Sequence, residues 1–332
     1  MINPSTAPEP PAPRRAIGVA LAVASGAAVA VQSRINGELG VRLDDGIAAA
    51  TVSFGVGLLV LLVLVPAVPA GRRGLAVLRT ALRGGTLRPW QCLGGICGAF
   101  LVVTQGLTVG TLGVAVFTVA VVAGQSASSL AVDRAGIGPL GRQPVTAARL
   151  AGAVLTVLAV LLSVGDRLDD STALGFAVLP ALAGMGIAWQ QAVNGRVRVA
   201  AGSALTATGV NFLVGTAALL VALAVDVALR GWPAGQWPTE PWLYLGGPIG
   251  IVFIAIAAAV VRFTGVLLLG LSTIAGQVVG AVLIDLVAPT TAELRPGIDT
   301  VLGALLTLAA VAVASSLPRF AVGKGPFHDR RR

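Results

Sequence analysis

One stretch of this chain occurs twice, and that duplication limits the folds available to it. The first copy runs Gln32-Ser33-Arg34-Ile35-Asn36-Gly37 and reaches Ser53-Phe54-Gly55-Val56-Gly57. The second runs Gln190-Gln191-Ala192-Val193-Asn194-Gly195 and reaches Asn211-Phe212-Leu213-Val214-Gly215. Gly26 and Gly184, Gln32 and Gln190, Asn36 and Asn194, Phe54 and Phe212, and Gly57 and Gly215 are each 158 positions apart. Later landmarks repeat at an offset of 152: Trp90 with Trp242, Gly94-Gly95 with Gly246-Gly247, Gly98 with Gly250, Gly124-Gln125 with Gly276-Gln277, and Asp133 with Asp285. The second copy has therefore lost six residues from a loop, where length changes are tolerated while packed elements keep register. The chain is two copies of one unit, and such a period governs every later assignment.

Composition says which solvent the unit meets. Hydrophobic residues make up 56% of the chain and charged residues 11%, with a mean hydropathy of +0.90, outside the range of water-soluble domains. Apolar runs of about 18 to 25 residues recur along it, long enough to cross ~30 Å of hydrocarbon as helix. Residues 1–15 hold five prolines and read as a disordered lead-in. Arg14-Arg15 before an apolar run resembles a secretory signal with a cleavage site at Ala28-Val29-Ala30. Cleavage there would remove Gly26 while the second copy keeps Gly184, so residues 16–37 read as a retained first span.

The pattern predicts an all-α integral membrane protein with ten transmembrane helices. Spans fall at about 16–37, 46–69, 90–109, 114–132 and 148–165, then at about 172–193, 203–229, 242–261, 264–287 and 299–317. Val109-Gly110-Thr111-Leu112-Gly113 reads as a tight turn between the third and fourth. The units are residues 16–165 and 172–317, with a basic tail at 318–332. Five spans per copy is an odd number, so the copies insert upside down relative to each other. With both termini on one side, that side receives 18 of the 23 basic residues and only Arg34, Arg42, Arg167, Arg230 and Arg295 lie opposite. Positive charge is retained on the cytoplasmic side, which puts both termini inside a plasma membrane.

The net charge of +9 then belongs to juxtamembrane loops and anionic lipid headgroups, not to nucleic acid. Leu75, Leu78 and Leu82 share one helical face and Arg72, Arg79 and Arg83 another, as in a short interfacial helix; a plain basic loop is the alternative. Enzyme chemistry finds little material. The single histidine is His328 in the tail, and Cys92 and Cys97 lie on different faces of one span. No metal site, disulfide or cofactor motif is suggested, and no Gly-rich loop precedes the only lysine, Lys324.

Polar side chains at membrane depth are costly and face an interior or a water-filled path. Gln125 and Gln277 fall near the middles of their spans and are expected to line a substrate path. Gln32 with Asn36, and Gln190 with Asn194, share helix faces at i, i+4 spacing. With Ser53 and Asn211 they are candidates for two gates at opposite depths, or for helix packing. Asn36-Gly37 and Asn194-Gly195 could equally end their helices. Asp133 and Asp285 lie near span ends, are expected to be solvated or paired with arginine, and are candidates for ion coupling.

The doubled Gln-x3-Asn-Gly with its downstream Phe-x2-Gly, and the doubled Gly-Gln…Asp, resemble the YdcZ-type branch of the drug/metabolite transporter superfamily in its fused ten-span form. The resemblance covers the chain after the proline-rich lead. It implies 5+5 inverted repeats of the EamA-like kind and an inner-membrane exporter of small metabolites or drug-like molecules. Inverted repeats suit alternating access, in which the two halves exchange conformations around a site. An accessory or scaffold subunit and a passive channel are the alternatives. Asn211 against Ser53 marks the halves as unequal.

Overall fold

The computed structural model describes residues 12–139, 141–142, 145–163, 171–289 and 296–315, and these are helical with no strand among them. Nine α-helices follow in order: α1 Ala12–Leu43, α2 Gly46–Ala67, α3 Pro69–Arg83, α4 Gly94–Ala135, α5 Ala147–Ser163, α6 Ser171–Ala201, α7 Ala204–Arg230, α8 Gly246–Val287 and α9 Ile298–Ser315. Of the lead-in expected to be disordered over 1–15, residues 1–11 lie outside the described residues and 12–15 are instead the start of α1; the basic tail from 318 also lies outside them. Among the described residues, five helical segments are long and apolar enough to cross a membrane: Ala16–Leu43, Gly46–Ala67, Pro89–Ala135, Gly175–Ala201 and Ala204–Arg230. Leu150–Ser163, Ser272–Val287 and Ile298–Val313 are shorter apolar helices.

The repeat survives in local geometry. Asp44 (φ 52°) turns the chain between α1 and α2, and Gly202 (φ 62°) does the same between α6 and α7. Asp45 then caps α2 by accepting from the N–H groups of Ile47 and Ala48 at 2.7 and 3.0 Å. Its repeat mate Ser203 caps α7 by accepting from Thr206 N–H at 3.2 Å. Each cap satisfies helix N–H groups that have no partner within the helix. A one-turn 3-10 helix precedes each long helix, Pro89–Cys92 before α4 and Pro241–Tyr244 before α8.

The two long helices are not rods. Gly94 and Gly98 lie against Asn194 and Gln190, whereas Gly124 lies against Ala181 and Gly138 against Ala192. The first leg of α4 therefore runs antiparallel to α6 and the second leg parallel to it. The reversal is at Gly113, whose φ of 79° and ψ of 166° are open to glycine and strained for other residues. The expected turn over Val109–Gly113 thus shrinks to one residue, with helix up to Leu112. The same argument folds α8 back. Gly246 and Gly250 meet Asn36 and Gln32, while Gly276 meets Val23 and Gly280 meets Ala27 and Ala30.

Packing is reciprocal between the copies. The long helix of each copy lies along the first helix of the other (α4 on α6, α8 on α1), α2 crosses α7, and α5 pairs with α9. Where α2 crosses α7, the rings of Phe54 and Phe212 lie with centroids 4.9 Å apart. Gly57 makes room for the Phe212 ring and Gly215 for that of Phe54. This explains the doubled Phe-x2-Gly, since each aromatic ring fills the space left by the other copy's glycine. Leu61, Val65, Val102, Leu219 and Ile251 complete the surrounding apolar core. Leu59, Leu62 and Val63 on α2 and Leu213, Leu220 and Val221 on α7 are exposed, as on a helix bundle facing hydrocarbon.

Two readings left open by the sequence are decided. Helix α1 continues beyond Asn36-Gly37 to Leu43, and α6 continues beyond Asn194-Gly195 to Ala201. Neither Gly37 nor Gly195 has positive φ, so neither ends a helix. Gly37 and Gly40 instead let α1 approach Val109 and Gly106 of α4, where a Cβ would collide. The basic stretch after α2 is helix α3 rather than a loop, started by Pro69 at its first position. Its buried side is Gly71, Gly74 and Leu78, and Leu75 stays 45% exposed.

Candidate functional site

Two amide clusters are built from equivalent positions and wired differently. In the first, Asn36 (0% exposed) donates from Nδ2 to Gln105 Oε1 at 2.6 Å. Gln105 donates from Nε2 to Ser33 Oγ at 3.0 Å, and Ser33 Oγ–H donates to the Val29 carbonyl at 3.0 Å. The N-terminal turn of α8 closes the cluster, because Gly246 faces Asn36 Oδ1 and Ser53 Oγ, and Gly250 faces the Gln32 amide. A β-carbon at Gly246 would overlap both oxygens.

In the second cluster Asn211 Oδ1 accepts from Gln190 Nε2 at 3.0 Å and from Asn194 Nδ2 at 2.9 Å. Gly94 and Gly98 of α4 stand where Gly246 and Gly250 stand in the first. The difference is compensatory. The first copy has Ser53 on its second helix and takes its amide acceptor from Gln105 on α4. The second has Asn211 on its second helix, with Ala257 in the repeat position of Gln105.

Each cluster keeps unspent hydrogen-bonding capacity. Asn36 Oδ1, Ser53 Oγ and Gln190 Oε1 are buried with no hydrogen-bond partner. An unpaired buried acceptor costs about 1–3 kcal/mol, which a polar ligand or water would offset. Gln32 and Gln190 thus belong to separate clusters, one against α8 and one against α4.

Gln125 and Gln277 sit at two further equivalent crossings. Gly184 of α6 packs on the backbone of Val121 and Gln125, and Gly26 of α1 packs on that of Thr273 and Gln277. Gln125 donates from Nε2 to Gln191 Oε1 at 3.1 Å, and both side chains are partly or fully solvent-accessible. Gln277 is half-buried. The described contacts place the two glutamines on different helix pairs.

Asp285 departs most from expectation. It is 2% exposed, and its carboxylate accepts from the N–H groups of Val114 at 3.0 Å and Ala115 at 2.7 Å. Those are the first free N–H groups of the second leg of α4, just past Gly113, so Asp285 is a cap supplied by the other repeat. The solvated reading of Asp285 is corrected by this burial. Asp133, its repeat mate, is half-buried at the end of the second leg of α4. Arginine appears elsewhere in cross-element roles: Arg196 donates to the carbonyls of Gly136 and Ile137, and Arg42 bridges Glu38 and Glu240 at 3.0 and 3.4 Å.

Gln105, Ser33 and Gln191 were not singled out by sequence. The signal for Gln105 lay in comparing the copies for paired differences, since Ser53 against Asn211 is balanced by Gln105 against Ala257. What the amides offer chemically is neutral donors and acceptors suited to recognising uncharged polar groups.

Residues 17–162 and 175–313 each match the family model described as "Putative inner membrane exporter, YdcZ". A search of curated proteins finds no match. A solved structure described as "Crystal structure of protein" is similar in fold, with a TM-score of 0.54 at 20% identity over 91% of this chain and 96% of that one.

Proposed function

Because the chain belongs to the family described as "Putative inner membrane exporter, YdcZ", we propose that it is a secondary transporter and not an enzyme, exporting small neutral or zwitterionic molecules by alternating access. Ten spans in two inverted five-span halves, with both termini cytoplasmic, form the scaffold of this reading. The 18-to-5 division of basic residues supports the orientation. The exchange of long helices between copies supports the inversion, since each half can pass its conformation to the other through them.

The observation that carries the substrate path is the Gln125–Gln191 amide pair. Both side chains are accessible on helices of an otherwise apolar bundle, where a polar amide facing lipid is costly. Gln125 and its repeat mate Gln277 line the path in this reading. Gln32, Asn36 and Ser53 form one gate with α8, and Gln190, Asn194 and Asn211 the other with α4. Asp285 serves as a cap, and Asp133 is given the same role by repeat symmetry instead of ion coupling.

The test is flux in proteoliposomes loaded with a panel of neutral, zwitterionic and permanently cationic small molecules, with and without a proton gradient. Gln125→Leu and Gln277→Leu keep bulk and remove hydrogen bonding, so each should abolish flux of the transported class while membrane insertion is unchanged. Normal flux in both variants, or loss of a proton-driven flux in Asp285→Asn alone, refutes the amide path.

A further inference from the structure

A groove of about 710 Å³ lies between α3, the segment after it and the C-terminal end of α6, and none of the clustered amides lines it. Val77, Ala81, Leu87 and Val199 give it apolar walls, and Arg196 lies in its lining. We propose that this groove binds an anionic glycerophospholipid of the inner leaflet, with the headgroup among the arginines and an acyl chain along the apolar wall. The leaflet rests on the orientation proposed above; the binding site does not.

Three features of the groove fit that ligand. First, α3 starts two residues after α2 ends, so it leaves the bilayer surface with no linker. A helix with one basic face and one apolar face in that position lies in the interface. Second, charge complementarity is one-sided. Arg72, Arg73, Arg79, Arg83 and Arg88 are exposed on and beside α3, Arg198 is exposed next to Val199, and neither α3 nor the groove lining contains an acid. Arg73 lies one turn before Ala76 and Val77, on the face of α3 that lines the groove, and Arg83 lies one turn after Thr80 at its edge. Third, the wall is apolar where a soluble anion would need none: Val77 is 49% exposed and Val199 71%. An acyl chain covers such residues, whereas free phosphate leaves them in water. The volume falls in the range of small-molecule sites, enough for a headgroup with part of one chain.

The experiment is native mass spectrometry of the purified full chain titrated with phosphatidylglycerol or phosphatidylcholine, which exposes both faces and needs no transport. The wild type should retain phosphatidylglycerol in preference. Arg73→Gln with Arg83→Gln should weaken it at least about fivefold, as expected from the attraction of each basic residue to an anionic surface. Val199→Trp, which fills the groove from an exposed position, should remove the preference, while Val221→Trp on the apolar face of α7 should not. Equal retention of the two lipids, or unchanged retention in both groove variants, overturns the proposal. Displacement of phosphatidylglycerol by millimolar inorganic phosphate or glycerol phosphate also overturns it, by assigning the groove to a free anion. Loss of flux in the Gln125 and Gln277 variants bears on transport alone, so the two readings fail separately.

Discussion

Replacing Gln105 by Ala and then Ser53 by Asn should convert the first amide cluster to the wiring of the second. In the first copy the Asn36 amide donates to Gln105 Oε1, and Gln105 donates onward to Ser33. Gln105→Ala removes both bonds and leaves Asn36 Nδ2 buried beside an Oδ1 that already lacks a partner. Each interhelical bond in a bilayer contributes ~0.6 to 2 kcal/mol, and an orphaned buried donor costs about 1–3 kcal/mol. The single variant should therefore lose about 3 kcal/mol. In the second copy Asn211 Oδ1 accepts from both Gln190 and Asn194. An asparagine at position 53 should offer Gln32 and Asn36 the same acceptor. The double variant should then regain about 1–2 kcal/mol. Ser53→Asn alone, added while Gln105 still occupies Asn36, should be neutral or unfavourable. Thermal unfolding in detergent, followed with a thiol-reactive dye, reads this directly. Cys92 and Cys97 are half-buried reporters, and Cys97 packs on Gly186 of α6 rather than in the first cluster. The result that matters is the coupling between the two substitutions, isolated by the double-mutant cycle. Additive effects, with Ser53→Asn giving the same shift in both backgrounds, would falsify the compensation argument.

Asp285→Ala should destabilise the protein by about 2–4 kcal/mol, because two buried N–H groups lose charge-assisted bonds, and Asp285→Asn should cost less than half as much; equal midpoints for both variants in the same unfolding assay would remove the capping role. Gly57→Ala should cost about 1–3 kcal/mol by driving a methyl into the Phe212 ring, and Phe212→Leu should recover part of that loss, which unfolding midpoints of the double variant check. Reporter insertions at Gly141 and Trp232 should label opposite sides of the membrane, and labelling on the same side would end the inverted reading.

How much of this was legible in the sequence depended on whether a signal was local. The doubled landmarks were, and they carried the two-copy organisation and the order of helices, whereas the reciprocal crossings and the matched turns at Asp44 and Gly202 came only from the structure. Helix ends were not. In water an amphipathic stripe stops where a helix stops, but α2 is apolar on every side and its sequence shows no such edge. A glycine within such a run has two readings, a left-handed cap or a close approach between helices. At Gly37 the second holds, Gly195 packs on Pro139 in the turn after α4, and at Gly113 the backbone does turn, yet all three look alike in one dimension.

The amide clusters show the same limit from the other side. Gln32, Asn36, Gln190 and Asn194 announced themselves by spacing, but their partners are chosen by packing across long stretches of chain. Gln105 lies 69 residues from Asn36 and Asp285 lies 171 from Val114. A buried polar group must find a partner wherever the fold brings one, so its role is decided by the least local information the chain carries. Duplication partly restores that information. Two copies answer the same steric problem, and a loss in one must be met by a gain nearby, as Ser53 and Gln105 answer Asn211 and Ala257. Paired departures from the repeat therefore mark spatial neighbours, while positions kept in both copies, such as Gly94 and Gly246 or Phe54 and Phe212, mark the contacts that the symmetry itself requires. By that rule Asp133, kept opposite Asp285, should cap the second leg of α8 as Asp285 caps that of α4. Asp133→Asn should then be destabilising by the same small step as Asp285→Asn, and a variant as stable as the wild type would show that only one reversal in the molecule depends on a carboxylate.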